Sequence, residues 1–220
     1  MNYEQLCSFE VLYAAYKTAR QGKREKQGAA QYEANALACT ARLSRLLLSG
    51  AYKPGKFEVF TVYEPKKRLV QAPAFVDKVV QHAIVDNILY EAITSSFIQD
   101  SYASQVWKGM HVGLNRLKEQ MQDYFQKRKG HDEAARRGAG LPPRPPEQWD
   151  YADGWILKAD VHHFFASIDH NILKEKLRRK VADDRVFALM CTYIDSTDGL
   201  PLGYQTSQLL ALMYLDEFDH

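Results

Sequence analysis

Apolar residues recur at intervals of three and four along most of this chain of 220 residues, which favours a fold rich in amphipathic helices. The first such stretch surrounds Phe9 and Tyr16. The second surrounds Leu37 and Leu47 and is followed by Gly50, a typical helix stop. Further stretches predict helices over residues 76–93, 111–129 and 172–181. We therefore expect a mainly helical framework.

One segment departs from the helical spacing. Phe57 to Tyr63 alternates between apolar and polar residues, and a second short stretch from Arg68 to Gln71 suits another strand. Between them, residues 64–67 read Glu-Pro-Lys-Lys, which is a tight-turn signal. The sequence thus predicts a β-hairpin with a cationic tip, and the fold class is α+β and helix-rich.

Residues 130–151 differ in composition from the segments around them. They collect Gly, Ala and Arg and include the run Leu-Pro-Pro-Arg-Pro-Pro, which cannot form a regular element. We interpret this stretch as an exposed loop or insertion within one domain.

The charges are unevenly distributed, although the net charge is only +2. Cations cluster over residues 17–26 and again over residues 127–144. Such clusters attract phosphate backbones through counterion release, and they also occur as solvated surface that keeps a chain in solution. They are consistent with a nucleic-acid partner without establishing one.

The composition excludes some classes of protein. With 46% hydrophobic residues the chain can bury a substantial core, and no run approaches the roughly 20 apolar residues of a membrane span. The first ten residues carry acids where a secretory signal carries cations. Cys7, Cys39 and Cys191 are odd in number and far apart, so we expect reduced thiols and a cytoplasmic protein without membrane contact.

An aspartate ends a short apolar stretch in the second half of the chain. Trp155 to Val161 alternates in a way that predicts a buried strand, with Asp160 near its end. A carboxylate there is a candidate metal ligand, and an acid that merely caps a strand is an equal alternative.

A glycine and proline turn follows, with the sequence Gly199-Leu-Pro-Leu-Gly-Tyr-Gln-Thr-Ser-Gln208, and it opens a helix through Leu215. Gly203 would let a ligand approach the backbone, and a helix N-terminus offers N–H groups to anions. Taken alone, such a turn commonly precedes a helix and indicates no binding site.

Together these stretches resemble the bacterial reverse transcriptases of the group II intron and diversity-generating retroelement type. The segment Lys158-Ala-Asp-Val-His-His-Phe-Phe-Ala-Ser-Ile-Asp-His170 resembles the motif with the first metal-binding aspartate, and residues 199–208 resemble the motif after it. Residues 19–24, 64–68, 72–82 and 101–111 are similar to the fingers blocks of the same family. The resemblance covers nearly the whole chain apart from residues 130–151.

The resemblance implies an RNA-directed DNA polymerase that uses two-metal nucleotidyl transfer. Asp160, with the carbonyl of Val161, would hold Mg²⁺, for which Mn²⁺ is an alternative. The resemblance also implies that the incoming nucleotide is bound by Lys66, Arg68, Phe165, Gly203 and Gln208. The ring of Phe165 would exclude the ribose 2′-hydroxyl. The resemblance assigns the template to Lys23, Arg24 and Lys108.

The resemblance also implies an architecture. Residues 1–154 would form the polymerase fingers, residues 155–169 and 199–220 part of a ferredoxin-like palm, and residues 170–198 a return to the fingers. The family's Tyr-x-Asp-Asp motif does not occur in these residues. We therefore expect that the rest of the palm and the thumb are absent, and that this chain does not polymerise DNA by itself.

The implied partners are an RNA template, a DNA or RNA primer, deoxynucleoside triphosphates and an accessory protein, with a homodimer as a further hypothesis. Leu202 and Gln208 stand where many relatives carry Gln and Pro, a pattern similar to the error-prone retroelement enzymes. Two alternatives remain open. One is a catalytically silent scaffold that binds RNA or acts in phage defence, and the other is a phosphotransferase or nuclease that uses Asp160 with His162 and His163.

Overall fold

The computed structural model describes residues 1–65, 67–150 and 154–220. The chain divides into two compact units, one made of Met1–Ile98 with His162–His220 and the other of Gln99–Val161. Each unit is described separately below.

The first unit begins with four helices, whose starts are fixed by local capping. Asn2 and Gln5 form a reciprocal capping box, and the Ser8 side chain accepts a hydrogen bond from the Val11 N–H. The helices are α1 (Tyr3–Leu6), α2 (Phe9–Ala19), α3 (Gln27–Ala34) and α4 (Ala36–Leu48). The helices predicted around residues 9–16 and 37–47 are confirmed.

The predicted hairpin is also confirmed. Strand β1 (Glu58–Val62) pairs antiparallel with strand β2 (Arg68–Ala72), and the register sets Val62 opposite Arg68. Among the described residues, β1 and β2 form a sheet of two strands. Since two strands alone are marginal in water, the hairpin depends on its packing against the rest of the unit.

A continuous helical segment follows the hairpin, as the apolar stripe predicts. It consists of α5 (Phe75–Ile84), a π-helical turn over Val85–Leu89 and α6 (Tyr90–Thr94). The side chain of Asn87 in this turn donates to the Ala83 carbonyl of α5 at 2.8 Å. A local π-turn leaves no clear mark on apolar spacing, and the sequence did not predict it.

Helix α7 (Met110–Gly138) lies in the second unit and is longer than predicted. The prediction of a loop over residues 130–151 is therefore wrong for residues 130–138, which continue the helix. The residues after Gly130 include alanine, arginine and glutamate, which are good helix formers, and they outweigh the roughly 1 kcal/mol that one interior glycine costs. Lys129 and Glu133 add an ion pair one turn apart at 3.8 Å.

The predicted buried strand over residues 155–161 is wrong. These residues adopt no regular secondary structure, and the side chains of Trp155, Leu157 and Asp160 are exposed. A strand needs a hydrogen-bonded neighbour, and no strand in the described part of the chain pairs with this segment. Alternating side chains alone do not make a strand without such a neighbour.

The first unit is completed by a 3₁₀ turn over Phe164–Ser167, then α8 (His170–Lys180), α9 (Asp184–Ile194) and α10 (Gln205–Asp219). Asp169 and Asp183 cap α8 and α9 by accepting hydrogen bonds from the backbone N–H groups of the first turn. Phe164 and Phe165 lie within the 3₁₀ turn, so the chain is not extended there.

One hydrophobic core joins the early and late parts of the first unit. The side chains that build it come from α2, α4, α5, α8, α9 and α10, and the fully buried ones include Leu12, Leu43, Ile84, Leu177 and Met190. The fold is therefore α+β and mostly helical, as predicted. In the described ranges, no helix is long and apolar enough to cross a bilayer.

Candidate functional site

The turn over residues 199–208, called the 199–208 turn below, lies against strand β2. The Gln71 N–H donates to the Leu202 carbonyl at 2.9 Å. Gly203 adopts φ of +123°, and a Cβ atom there would lie 2.8 Å from the Gln71 carbonyl oxygen. Only glycine tolerates both the backbone angle and the contact, so this residue type sets how closely the turn approaches the hairpin.

The same turn also contacts the loop that carries Phe165. The Leu200 N–H donates to the Phe165 carbonyl at 2.7 Å. Gly199 has φ of +64°, and a Cβ atom on it would lie 2.3 Å from that carbonyl oxygen. His170 Nε2 lies 2.8 Å from the Gly199 carbonyl oxygen. The turn therefore links strand β2 to the Phe165 loop through backbone contacts.

Two further hydrogen bonds fix the entry into α10. The buried Ser207 hydroxyl donates to the Pro201 carbonyl at 2.7 Å, which closes the turn on itself. The Gln205 N–H donates to Gln81 Oε1 at 3.0 Å, so α5 supplies an acceptor for the first turn of a helix that lacks a side-chain cap. Gln81 is fully buried.

A buried carboxylate fixes the chain that enters the hairpin. Asp77, on α5, accepts from the Tyr52 hydroxyl at 2.5 Å and from the Gly55 N–H at 2.9 Å. The Tyr52 and Tyr193 hydroxyls are 2.6 Å apart. Burial raises the pKa of Asp77, while its two hydrogen bonds oppose that rise. Burial likewise raises the pKa of Tyr52.

The sequence analysis did not predict the roles of Asp77, Gln81 and His170, although the sequence contains a signal for the first two. Asp77 and Gln81 are polar residues four positions apart on the otherwise apolar face of α5, which marks them as buried polar groups that need partners. No comparable signal identified His170, because its partner is distant in sequence.

The residues assigned to the nucleotide are spread over the joined segments of the first unit. Arg68 is exposed at the start of β2, Phe165 is half-buried on its loop, and Gly203 and Gln208 are exposed on the turn. Lys66 lies outside the described residues. The hydrogen bonds above therefore connect the elements that carry Arg68, Phe165 and Gly203.

Asp160 and Val161 belong to the second unit, and both side chains are exposed. Among the residues that the structure describes, no group of three or more His, Cys, Asp or Glu side chains could hold a metal ion. A magnesium ion takes six oxygen ligands and keeps several waters. One carboxylate and one carbonyl suit magnesium in kind but do not form a complete centre.

The neighbouring histidines contact each other. The rings of His162 and His163 lie 3.9 Å apart between centroids at 71°, and both side chains are exposed. His163 adopts a left-handed backbone with φ of 50°, which starts the 3₁₀ turn before Phe165. The described contacts give these rings a local partner and no carboxylate.

The cations assigned to the template differ in their surroundings. Lys23 and Arg24 are exposed in the first unit, and Arg24 lies 3.7 Å from Glu33, which also pairs with Arg20. Lys108, in the second unit, donates to the Gln99 carbonyl at 2.8 Å and lies 6.0 Å from the centre of the Tyr102 ring. The charge of Arg24 is therefore partly compensated, whereas Lys108 is held near an aromatic ring.

Comparison with known proteins identifies a distant relative of this chain. Protein YkfC of Escherichia coli (strain K12) is 26% identical to this chain over 189 residues. The matched region covers 79% of this chain and 42% of that protein. No protein-family model matches the sequence.

The chain thus spans less than half the length of the relative it matches. The name of YkfC states no activity. The likeness establishes a distant relation between the two sequences and assigns no function to this chain.

Proposed function

We propose that this chain forms the fingers and the first part of the palm of an RNA-directed DNA polymerase. The observation that carries the proposal is the joining of three segments by backbone hydrogen bonds. Gln71 of β2 bonds to Leu202, and Leu200 bonds to Phe165, at 2.9 and 2.7 Å. These are the segments to which the motif resemblance assigns the incoming nucleotide.

The chemistry of these segments suits a nucleoside triphosphate. Arg68 offers a guanidinium that can form paired hydrogen bonds to phosphate oxygens, and it lies on the strand that contacts the turn. Lys66 would add a second cation. Gly203 is exposed on the turn, and Gln208 lies one turn into α10 with an amide that can donate and accept.

Phe165 is proposed to select deoxynucleotides. Its ring is half-buried and packs edge-to-face against Phe164 with 5.9 Å between ring centres. Its backbone is fixed by the bond from Leu200. A ring held in this way can exclude a ribose 2′-hydroxyl by steric contact.

Asp160 and the carbonyl of Val161 are proposed as ligands for Mg²⁺, with Mn²⁺ as an alternative. When bound, such an ion stabilises the charge that develops during phosphoryl transfer. The carboxylate of Asp160 is exposed and hence accessible to a cation. The remaining protein ligands would come from a Tyr-x-Asp-Asp motif, which is not among these 220 residues.

The proposed partners are an RNA template, a DNA or RNA primer and deoxynucleoside triphosphates in the cytoplasm, with an accessory protein or a second copy as further candidates. Lys23, Arg24 and Lys108 would contact the template backbone through phosphate charge. In this proposal residues 1–154 and 170–198 are the fingers, and residues 155–169 and 199–220 begin the palm.

Primer extension with the full-length gene product tests the proposal. We expect extension of a primer on an RNA template in Mg²⁺, and its loss in Asp160→Asn. Asp123→Asn is a matched control, because Asp123 is an exposed carboxylate of α7 with no assigned role. Equal extension by the two variants would refute the role of Asp160. RNA binding without any extension would favour a catalytically silent scaffold instead.

A further inference from the structure

Trp107 presents an unusual combination of exposure and backbone conformation. Its side chain is 94% exposed. Its backbone adopts φ of 64°, in the left-handed region that favours glycine. A left-handed conformation costs a residue of this type roughly 1–2 kcal/mol, and the exposed ring recovers none of that cost through packing. Strained backbone conformations of this kind are concentrated at ligand-binding and active sites.

The loop around Trp107 is fixed by local hydrogen bonds. The Lys108 N–H donates to the Gln105 carbonyl at 3.3 Å, and the Gln105 side chain donates to the Ser101 carbonyl at 2.7 Å. Helix α7 begins directly after this loop. The indole ring therefore projects from a backbone whose conformation is set before any ligand arrives, which lowers the entropic cost of binding.

The residue that follows Trp107 is a lysine, Lys108, whose side chain is fixed by a hydrogen bond. Lys108 Nζ donates to the Gln99 carbonyl at 2.8 Å. An ammonium group has three donors, so this bond orients the side chain and leaves donors for an anionic ligand. An exposed aromatic ring and a lysine adjacent to it in sequence are residue types by which proteins bind single-stranded nucleic acid, through base stacking and phosphate contact.

We propose that Trp107 is a stacking platform for an unpaired base of single-stranded RNA, and that Lys108 contacts the adjoining phosphate. The choice of RNA rests on the proposed function. A duplex offers no free base face within its length, so the ligand is single-stranded. Met110, which is 73% exposed nearby in sequence, provides a control for simple apolar contact.

The test measures binding of the 220-residue chain to two labelled strands by fluorescence anisotropy. One is a single-stranded RNA of about 12 nucleotides, and the other is the same backbone with abasic sites. Trp107→Ala is expected to weaken binding to the intact strand by about tenfold and to leave binding to the abasic strand unchanged. Trp107→Phe should retain most of the affinity, and Met110→Ala all of it.

The outcomes separate this inference from the proposed function. If the wild type binds RNA and Trp107→Ala has no effect, or weakens both strands equally, stacking by Trp107 is refuted and the polymerase proposal stands. If the wild type binds neither strand, the stacking inference and the polymerase proposal both lose their RNA ligand. An equal loss in Met110→Ala would show that general apolar contact accounts for the effect, and stacking by Trp107 would be refuted. Trp107→Gly, whose backbone suits the position, repeats the measurement should Trp107→Ala misfold.

Discussion

The backbone N–H of Gln71 donates a 2.9 Å hydrogen bond to the carbonyl oxygen of Leu202. Through this bond a hairpin near the start of the chain meets the turn that opens the last described helix. Because Gly203 follows Leu202 directly, the spacing between the two segments depends on a residue without a Cβ atom.

Gly203→Ala is expected to destabilise the first unit by about 3 kcal/mol, since it combines backbone strain with a clash against the Gln71 carbonyl. Gly50→Ala is the matched control. Gly50 also has positive φ, of +72°, but a Cβ atom there would meet nothing within 4 Å, so we expect a cost of about 1 kcal/mol. Urea unfolding compares them, and equal costs would show that the contact with β2 is loose.

The buried Asp77 predicts a pH dependence of stability. Its pKa is raised in the folded state from an ordinary value of 3.8, so the folded protein binds the proton more tightly than the unfolded chain. The wild type should therefore lose stability relative to Asp77→Asn as pH rises above 3.8 toward the raised pKa, and the difference should then stay constant. Urea unfolding from acidic to neutral pH measures this difference.

Asp198→Asn, at an exposed carboxylate, is the control for that series. A wild type that gained stability relative to Asp77→Asn over the same interval would contradict the direction of the Asp77 shift.

Asp183→Ala should destabilise the first unit by about 2 kcal/mol. The Asp183 carboxylate caps α9 through the Arg185 and Val186 N–H groups, and it also accepts from the Tyr3 N–H at 2.8 Å. Asp184→Ala removes a neighbouring carboxylate that pairs with Arg178 on the surface, and we expect a change of about 0.5 kcal/mol or less. Thermal unfolding of the two variants tests the difference.

Trp107→Gly is expected to stabilise the second unit by about 1 kcal/mol while it weakens RNA binding. Glycine relieves the left-handed strain, and a side chain that is 94% exposed gives up little packing when it is removed. Chemical denaturation measures the stability. Destabilisation by the substitution would mean that the indole supports the fold rather than a ligand.

Local structure was predictable from the sequence, and its limits have physical causes. The hairpin and most helices follow from apolar spacing and turn residues that are close in sequence. Residues 155–161 have the same kind of alternation as β1, yet they form no strand, because a strand also needs a neighbour that local sequence does not supply. Helix α7 continues beyond residue 129, where the sequence predicted its end, because good helix formers follow Gly130.

The candidate site was predictable only as a set of residue types. The resemblance named Phe165 and Gly203, but spacing along the chain could not reveal that Leu200 bonds to Phe165 or that Gly203 abuts Gln71. His170 and Gln81 act on partners far away in sequence, so their roles appeared only with the fold. The nucleotide, template and metal roles themselves stay predictions.

The most direct test of the nucleotide pocket is the sugar preference of Phe165→Val in primer extension by the full-length gene product. With a smaller side chain on the loop that Leu200 fixes, incorporation of ribonucleotides relative to deoxynucleotides should rise by about tenfold or more. Deoxynucleotide incorporation should remain near that of the wild type. A uniform loss of both activities, with the preference unchanged, would contradict the placement of the nucleotide sugar against Phe165.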